Sequence, residues 1–149
     1  MGNKSIQEDK VKRFETFDHG ADIGIRGYGK SVEETFVNGA KALFYYMYQV
    51  SEPVEENLDI KEITFELEEN DLTSLFIRFL NTLIAESDIN SLAFFDFSLK
   101  IEGLKLKGKA RGYPIKTGEI GVEVKGATYC EAKVEQKNGI WVAQCVIDV

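Results

Sequence analysis

Seven large apolar residues, Leu72, Leu75, Phe76, Phe79, Leu80, Leu83 and Ile84, follow one another at alternating steps of three and one. That spacing comes back to one face of an α-helix at every turn. Asn70 or Asp71 stands where such a helix takes its cap. A helix with so wide an apolar face needs a broad partner, and the flanking sequence supplies one. Ile63, Phe65 and Leu67 alternate with charged residues before it. Phe95, Phe97, Leu99 and Ile101, then Leu104 and Leu106, alternate after it. Alternation at a period of two marks strands with one buried face. The helix over Leu72–Ile84 is therefore expected to lie across a sheet as the main core element.

The same reading extends to the rest of the chain. Val32, Phe36, Ala40, Leu43, Phe44 and Met47 share a face of a second helix, which opens on the capping box Ser31-Val32-Glu33-Glu34. Its aromatic last turn, Phe44 to Tyr48, reads as core packing with a half-exposed rim; base-stacking platforms sit on sheets with basic residues between the rings. Short strands are expected over Arg13–Phe17, with Phe14 and Thr16 on one face, and over Ile23–Tyr28. Glu102-Gly103 should turn one hairpin. Asn138-Gly139 should turn another, of the primed type, joining Glu131–Lys137 to Trp141–Ile147. Residues 51–59 read as an acidic surface loop and residues 112–121 as a second loop. Residues 1–12 read as a disordered leader, leaving one domain over 13–149. The expected architecture is α+β: a two-layer sandwich of two main helices on a largely antiparallel or mixed sheet.

Charge and cysteine usage narrow the function classes. The net charge of -7 over 149 residues argues against a free-standing nucleic-acid binder. Lys100, Lys105, Lys107, Lys109 and Arg111 are the one basic concentration; a solvated outer face is expected, and it is also the only basic surface open to RNA or an acidic partner. Cys130 and Cys145 fall on different predicted strands, with no Cys/His spacing for zinc, and both are expected to be buried free thiols. The polar start of the chain lacks the apolar run of a signal peptide, and no stretch is long and apolar enough for a membrane span. A cytoplasmic protein that touches no membrane is the expectation.

The chemistry-bearing residues gather in Asp18-His19-Gly20-Ala21-Asp22-Ile23-Gly24-Ile25-Arg26-Gly27-Tyr28-Gly29-Lys30 and at the chain end, Asp148-Val149. His19 is the single histidine. There is no nucleophile elbow and no P-loop. Spacing alone leaves two readings of the carboxylates, and favours the first. In one, Asp22 caps a turn and Asp148 is solvated. In the other, the first and last strands are neighbours, and Asp22, Asp148 and the terminal carboxylate of Val149 converge. Like charges held close demand neutralisation. A hard divalent cation would supply it, and Ca²⁺ tolerates irregular oxygen sites best.

The run Asp18–Lys30, continued by Ser31-Val32-Glu33-Glu34, resembles the N-terminal signature of the archease family. The likeness goes on through Ala40-Lys41-Ala42-Leu43-Phe44, Phe79-Leu80-Asn81-Thr82-Leu83-Ile84, Val124-Lys125-Gly126-Ala127-Thr128-Tyr129 and Val146-Ile147-Asp148-Val149. It covers nearly all of residues 13–149 in order. The resemblance implies a two-layer α+β fold. It also implies an accessory role beside the RtcB-type RNA ligase of tRNA splicing and RNA repair: archease promotes guanylylation of the ligase and multiple turnover, and is not itself an enzyme. By position, Asp22 and Asp148 match the family's metal-binding aspartates, with Val149 supplying a terminal oxygen. The implied cofactor is a divalent cation, Ca²⁺ with Mn²⁺ as the alternative. Lys125 and His19 match residues associated with partner activation. RNA would be met only through the ligase. Gly20, Gly126-Ala127 and Cys130 depart from the family's usual threonine, Ala-Val and histidine. The rival readings are a small metal-dependent hydrolase, with His19 as base, and a general protein chaperone.

Overall fold

The computed structural model describes residues 13–50, 59–116 and 121–149. The expected leader, nearly all of the acidic loop and the end of the second loop lie outside the described residues. In chain order the elements are β1 (Phe14–His19), β2 (Asp22–Gly29), α1 (Val32–Tyr48), β3 (Lys61–Glu68), α2 (Leu72–Asn90), β4 (Leu92–Glu102), β5 (Lys105–Pro114), β6 (Gly126–Ala127), β7 (Lys133–Lys137) and β8 (Ile140–Asp148). The fold is α+β, and every strand pairing is antiparallel.

The strands form two sheets. One runs β1-β2-β8, with β6 and β7 sharing the far edge of β8; the other runs β3-β5-β4. Both helices touch strands of both sheets. One continuous core results, from Ile25, Cys145 and Ile147 through Phe36, Phe44, Phe76, Phe79 and Leu80 to Phe94, Leu106 and Ala110.

The helix caps follow the sequence. Ser31 Oγ accepts the Glu34 amide at 3.1 Å, and Asp71 Oδ1 accepts the Ser74 amide at 2.7 Å, each satisfying a first-turn donor. α2 outlasts its expected apolar stretch by two turns, ending at Asn90 with Ser91 left-handed as its cap. The two-residue turns also hold. Asn138 and Gly139 both take positive φ, as a primed hairpin turn requires. Gly20 at φ 61° makes the β1–β2 turn tight enough to pair His19 with Asp22. Leu104, expected to begin a strand, instead sits in the turn after Gly103.

Three further sequence expectations need correction. Phe95 was expected on the core face of its strand, but a bulge between Phe94 and Asp96 shifts the phase. Phe94 is buried in its place, and Phe95 stacks on Tyr113 at 6.2 Å. Residues 112–114 were read as loop, yet β5 continues through them and pairs Pro114 with Leu92. In β1, Thr16 is exposed rather than sharing the core-side burial of Phe14.

The glycines of β2 serve a close approach. A Cβ on Gly27 would collide with the backbone of Thr35 and Gly39 in α1. Asn38 Nδ2, from the same helix face, donates to the Tyr28 carbonyl at 2.7 Å. Strand and helix backbones thus meet directly, fixing β2 and with it Asp22.

Candidate functional site

The second strand and the last are neighbours. β2 pairs with β8 from Gly29↔Trp141 to Ile23↔Ile147, so Asp22 and Asp148 come one step further along, at the same sheet corner. The Val149 amide donates to Asp22 Oδ1 at 3.2 Å. Gly126 pairs with Asp148 across β6, and the Lys125 amide donates to the Asp148 carbonyl at 2.8 Å. Three distant parts of the chain therefore bring Asp22, Asp148, Val149 and Lys125 together. Asp148 and Lys125 are exposed; Asp22 and Val149 are half-buried. Lys125 also lines a groove of about 350 Å³ with Asn81, Asp88 and Glu123.

α2 positions this corner through a residue whose role the sequence did not reveal. Asn81 Oδ1 accepts the Ala127 amide at 2.8 Å, and Asn81 Nδ2 donates to the Ala127 carbonyl at 3.2 Å. A two-residue strand cannot hold its own register, so this clamp ties β6 to the core. Asn81 lies just off the apolar stripe of α2, where helical periodicity reads it as a solvated rim position. Thr128 continues the anchoring: its hydroxyl donates to the Val146 carbonyl at 2.8 Å.

His19 occupies the same sheet face, paired with Asp22. Its Nε2 lies 3.6 Å from Cys130 Sγ. Cys130 is exposed, contrary to expectation, because the chain leaves β6 in a turn before β7 begins. Cys145 is buried as expected, and burial pushes its thiol up to about 12 against a backbone hydrogen bond at Thr128.

A polar network braces this face next to the corner. Arg26 Nε donates to Gln144 Oε1 at 2.7 Å, and its NH1 donates to Glu15 at 2.6 Å. Its guanidinium covers the Phe17 ring at 4.6 Å. Gln144 Nε2 in turn donates to the Glu131 carbonyl at 2.9 Å.

The basic run lies elsewhere, on the outer face of β3-β5-β4. There Lys100, Lys105, Lys107, Lys109 and Arg111 are interleaved in register with Glu62, Glu66, Glu68, Asp96 and Glu102. Cations and carboxylates are equal in number, so no concentrated positive field arises.

The sequence pattern of the archease protein family matches residues 14–149. The chain belongs to the archease family. It is 43% identical over 146 residues to the protein archease of Pyrococcus abyssi, covering 93% of this chain and 100% of that one. It is 36% identical over 145 residues to that of Sulfolobus acidocaldarius, with the same coverage. Among solved structures, protein 1598 of Methanobacterium thermoautotrophicum superimposes with a TM-score of 0.79 at 32% identity, over 93% of this chain and 100% of that one. An archease from Thermotoga maritima, described as a possible chaperone, shares the fold at a TM-score of 0.62 and 24% identity, over 91% and 96% of the two chains.

The donor set at the archease corner suits a hard cation in kind. Asp22 and Asp148 carry carboxylate oxygens, Val149 adds main-chain oxygen, and neither aspartate has an ion-pair partner among the described residues. Carboxylate and main-chain oxygens of this kind are the donors that a hard divalent cation takes. Among the described residues no three His, Cys, Asp or Glu side chains form a cage. An ion here would keep water in several positions. Among them, too, no helix is long and apolar enough to cross a membrane.

Proposed function

We propose that this protein is a cytoplasmic accessory factor of an RtcB-type RNA ligase, promoting the ligase's guanylylation and allowing it to turn over repeatedly. Asp22, Asp148 and Val149 hold a divalent cation, Ca²⁺ or Mn²⁺, and Lys125 and His19 face the ligase. The observation that carries this reading is the convergence of Asp22, Asp148, Val149 and Lys125 at one corner. Those are the residues to which archease resemblance assigns the work, and they come from opposite ends of the chain. The bound cation supplies positive charge between carboxylates. Lys125 adds a long cation at the rim, and the Asn81 clamp keeps the rim in place. An acidic chain also complements a basic, RNA-binding partner. RNA is met only through the ligase, since the one basic sheet face is neutralised by its own carboxylates.

The test is ligation of RNA ends by an RtcB-type ligase with GTP and metal, with this protein added at catalytic amounts. Product should exceed one equivalent per ligase only when it is present. Unchanged ligase turnover would refute the proposal. Hydrolysis of phosphoesters by the protein alone would favour the hydrolase reading. Equal protection of unrelated unfolding proteins would favour a general chaperone.

A further inference from the structure

We propose that the groove beside Lys125 is a docking site for an arginine side chain on an exposed basic segment of the partner ligase. The inference names the partner chemistry for the accessory role proposed above and rests on that reading. The groove holds about 350 Å³, at the small end of the roughly 300–1,000 Å³ of ligand pockets. That size suits one or two inserted side chains.

One wall is a face of α2, where Ile84, Ala85 and Asp88 recur at helical spacing. The other is the extended stretch of Val122, Glu123 and Val124. This stretch is tied down on both sides. The Val122 amide donates to the Met47 carbonyl at 2.9 Å, and the Lys125 amide to the Asp148 carbonyl at 2.8 Å. Gly121 lies so near α1 that a Cβ there would meet the Tyr48 ring and the Met47 carbonyl. The groove therefore opens between the C-terminal ends of both helices. Lys125 and Asn81 belong to it and to the corner alike, so the two surfaces are continuous.

Electrostatics select the occupant. A helix C-terminus carries partial negative charge and favours cations in its last turn. Neither helix has a basic residue there, and α2 places Asp88 in that turn instead. Glu123 adds a carboxylate from the opposite wall. Neither Asp88 nor Glu123 has an ion-pair partner among the described residues. Both are exposed, and Val122 beside them leaves 40% of its surface open to solvent. An arginine fits this combination. Its aliphatic stem lies along Ile84 and Val122, and its planar fork reaches the carboxylates.

Binding of an RtcB-type ligase to the full chain, followed by biolayer interferometry beside the turnover assay, tests the site. Asp88→Lys and Glu123→Lys, each checked for folding by circular dichroism, should weaken binding at least tenfold. The amount of protein needed for half-maximal activation should rise in proportion, with turnover at saturation unchanged. Asp148→Asn should instead lower that maximum. Glu135→Lys, the same change of net charge on β7, should bind like the wild type. A second arm dispenses with the ligase: a capped tetrapeptide of alternating leucine and arginine is titrated into the labelled full chain and followed by amide NMR. It should shift Ala85, Asp88, Val122 and Glu123, and its glutamate counterpart should not. Equal ligase affinity for wild type, Asp88→Lys and Glu123→Lys would overturn the groove and leave the accessory role intact. Peptide shifts that avoid the groove, or that the glutamate peptide reproduces, would overturn it as well. A wild type that takes the arginine peptide in the groove but neither binds nor activates the ligase would refute the accessory role and uphold the groove as a site for a basic segment.

Discussion

At the scale of single residues, the two cysteines show how local environment separates identical chemistry. Cys145 is enclosed by core and its thiol is raised to about 12, chiefly by desolvation. Native protein should therefore lose only the Cys130 thiol to iodoacetamide, with Cys145 reacting only after unfolding; mass spectrometry of the alkylated peptides checks this. A linkage effect accompanies it. The unfolded chain releases the Cys145 proton in the ordinary thiol range, while the folded chain keeps it until about pH 12. Between those limits the unfolded state binds fewer protons, so stability should fall as pH rises through that window. Denaturant midpoints measured across alkaline pH give the sign directly; a midpoint that rises would contradict it. Lys125 is the opposite case, exposed and bonded through its backbone alone among the contacts of the corner. Lys125→Ala should change stability by no more than about 0.5 kcal/mol, yet sharply reduce ligase activation. A large stability loss with activation intact would make the lysine structural.

At the scale of elements, the least regular strand is the one the site depends on. β6 has two residues and is held by Asn81 through two hydrogen bonds. Asn81→Ala leaves the Ala127 amide and carbonyl without these partners. It should cost about 1–3 kcal/mol, measured by urea unfolding, and weaken activation through a displaced Lys125. Asn81→Asp, able to accept but not to donate a pair, should fall between. The β2–α1 contact is equally specific. Gly27→Ala drives a methyl group into the α1 backbone and should cost about 1–3 kcal/mol or more. A neutral outcome would mean that α1 can lift away from β2, and that its close approach is not what fixes Asp22.

At the scale of the whole molecule, the corner joins the beginning of the fold to its end. A cation that binds there engages the native state and not the unfolded chain, so its affinity adds to global stability. At a hundredfold excess over the dissociation constant the gain is about 2.7 kcal/mol. Thermal unfolding with Ca²⁺ or Mn²⁺ should therefore shift upward relative to chelator. Asp22→Asn and Asp148→Asn should each remove most of that shift. A wild type whose unfolding ignores both ions does not bind them at this corner.

Both helices, their caps, the primed turn at Asn138-Gly139 and most strands could be read from periodicity and turn chemistry, because local sterics and one-sided burial write those signals into neighbouring residues. The phase error at Phe95 arose because a bulge breaks the period without changing composition. β5 ran on past its expected end because Gly112-Tyr113-Pro114 looks like a turn yet gains partners from β4. The site was legible only in part. Asp22, Asp148, Val149 and Lys125 could be named from the family likeness, but no local pattern requires β2 and β8 to touch. Only long-range pairing of β2 with β8 brings the aspartates to one corner. Nothing in the sequence marked Asn81 as a clamp, and the expectation of a buried thiol at Cys130 passed over its contact with His19. Each contact spans a long stretch of chain, and its geometry exists only once the sheets and helices have packed.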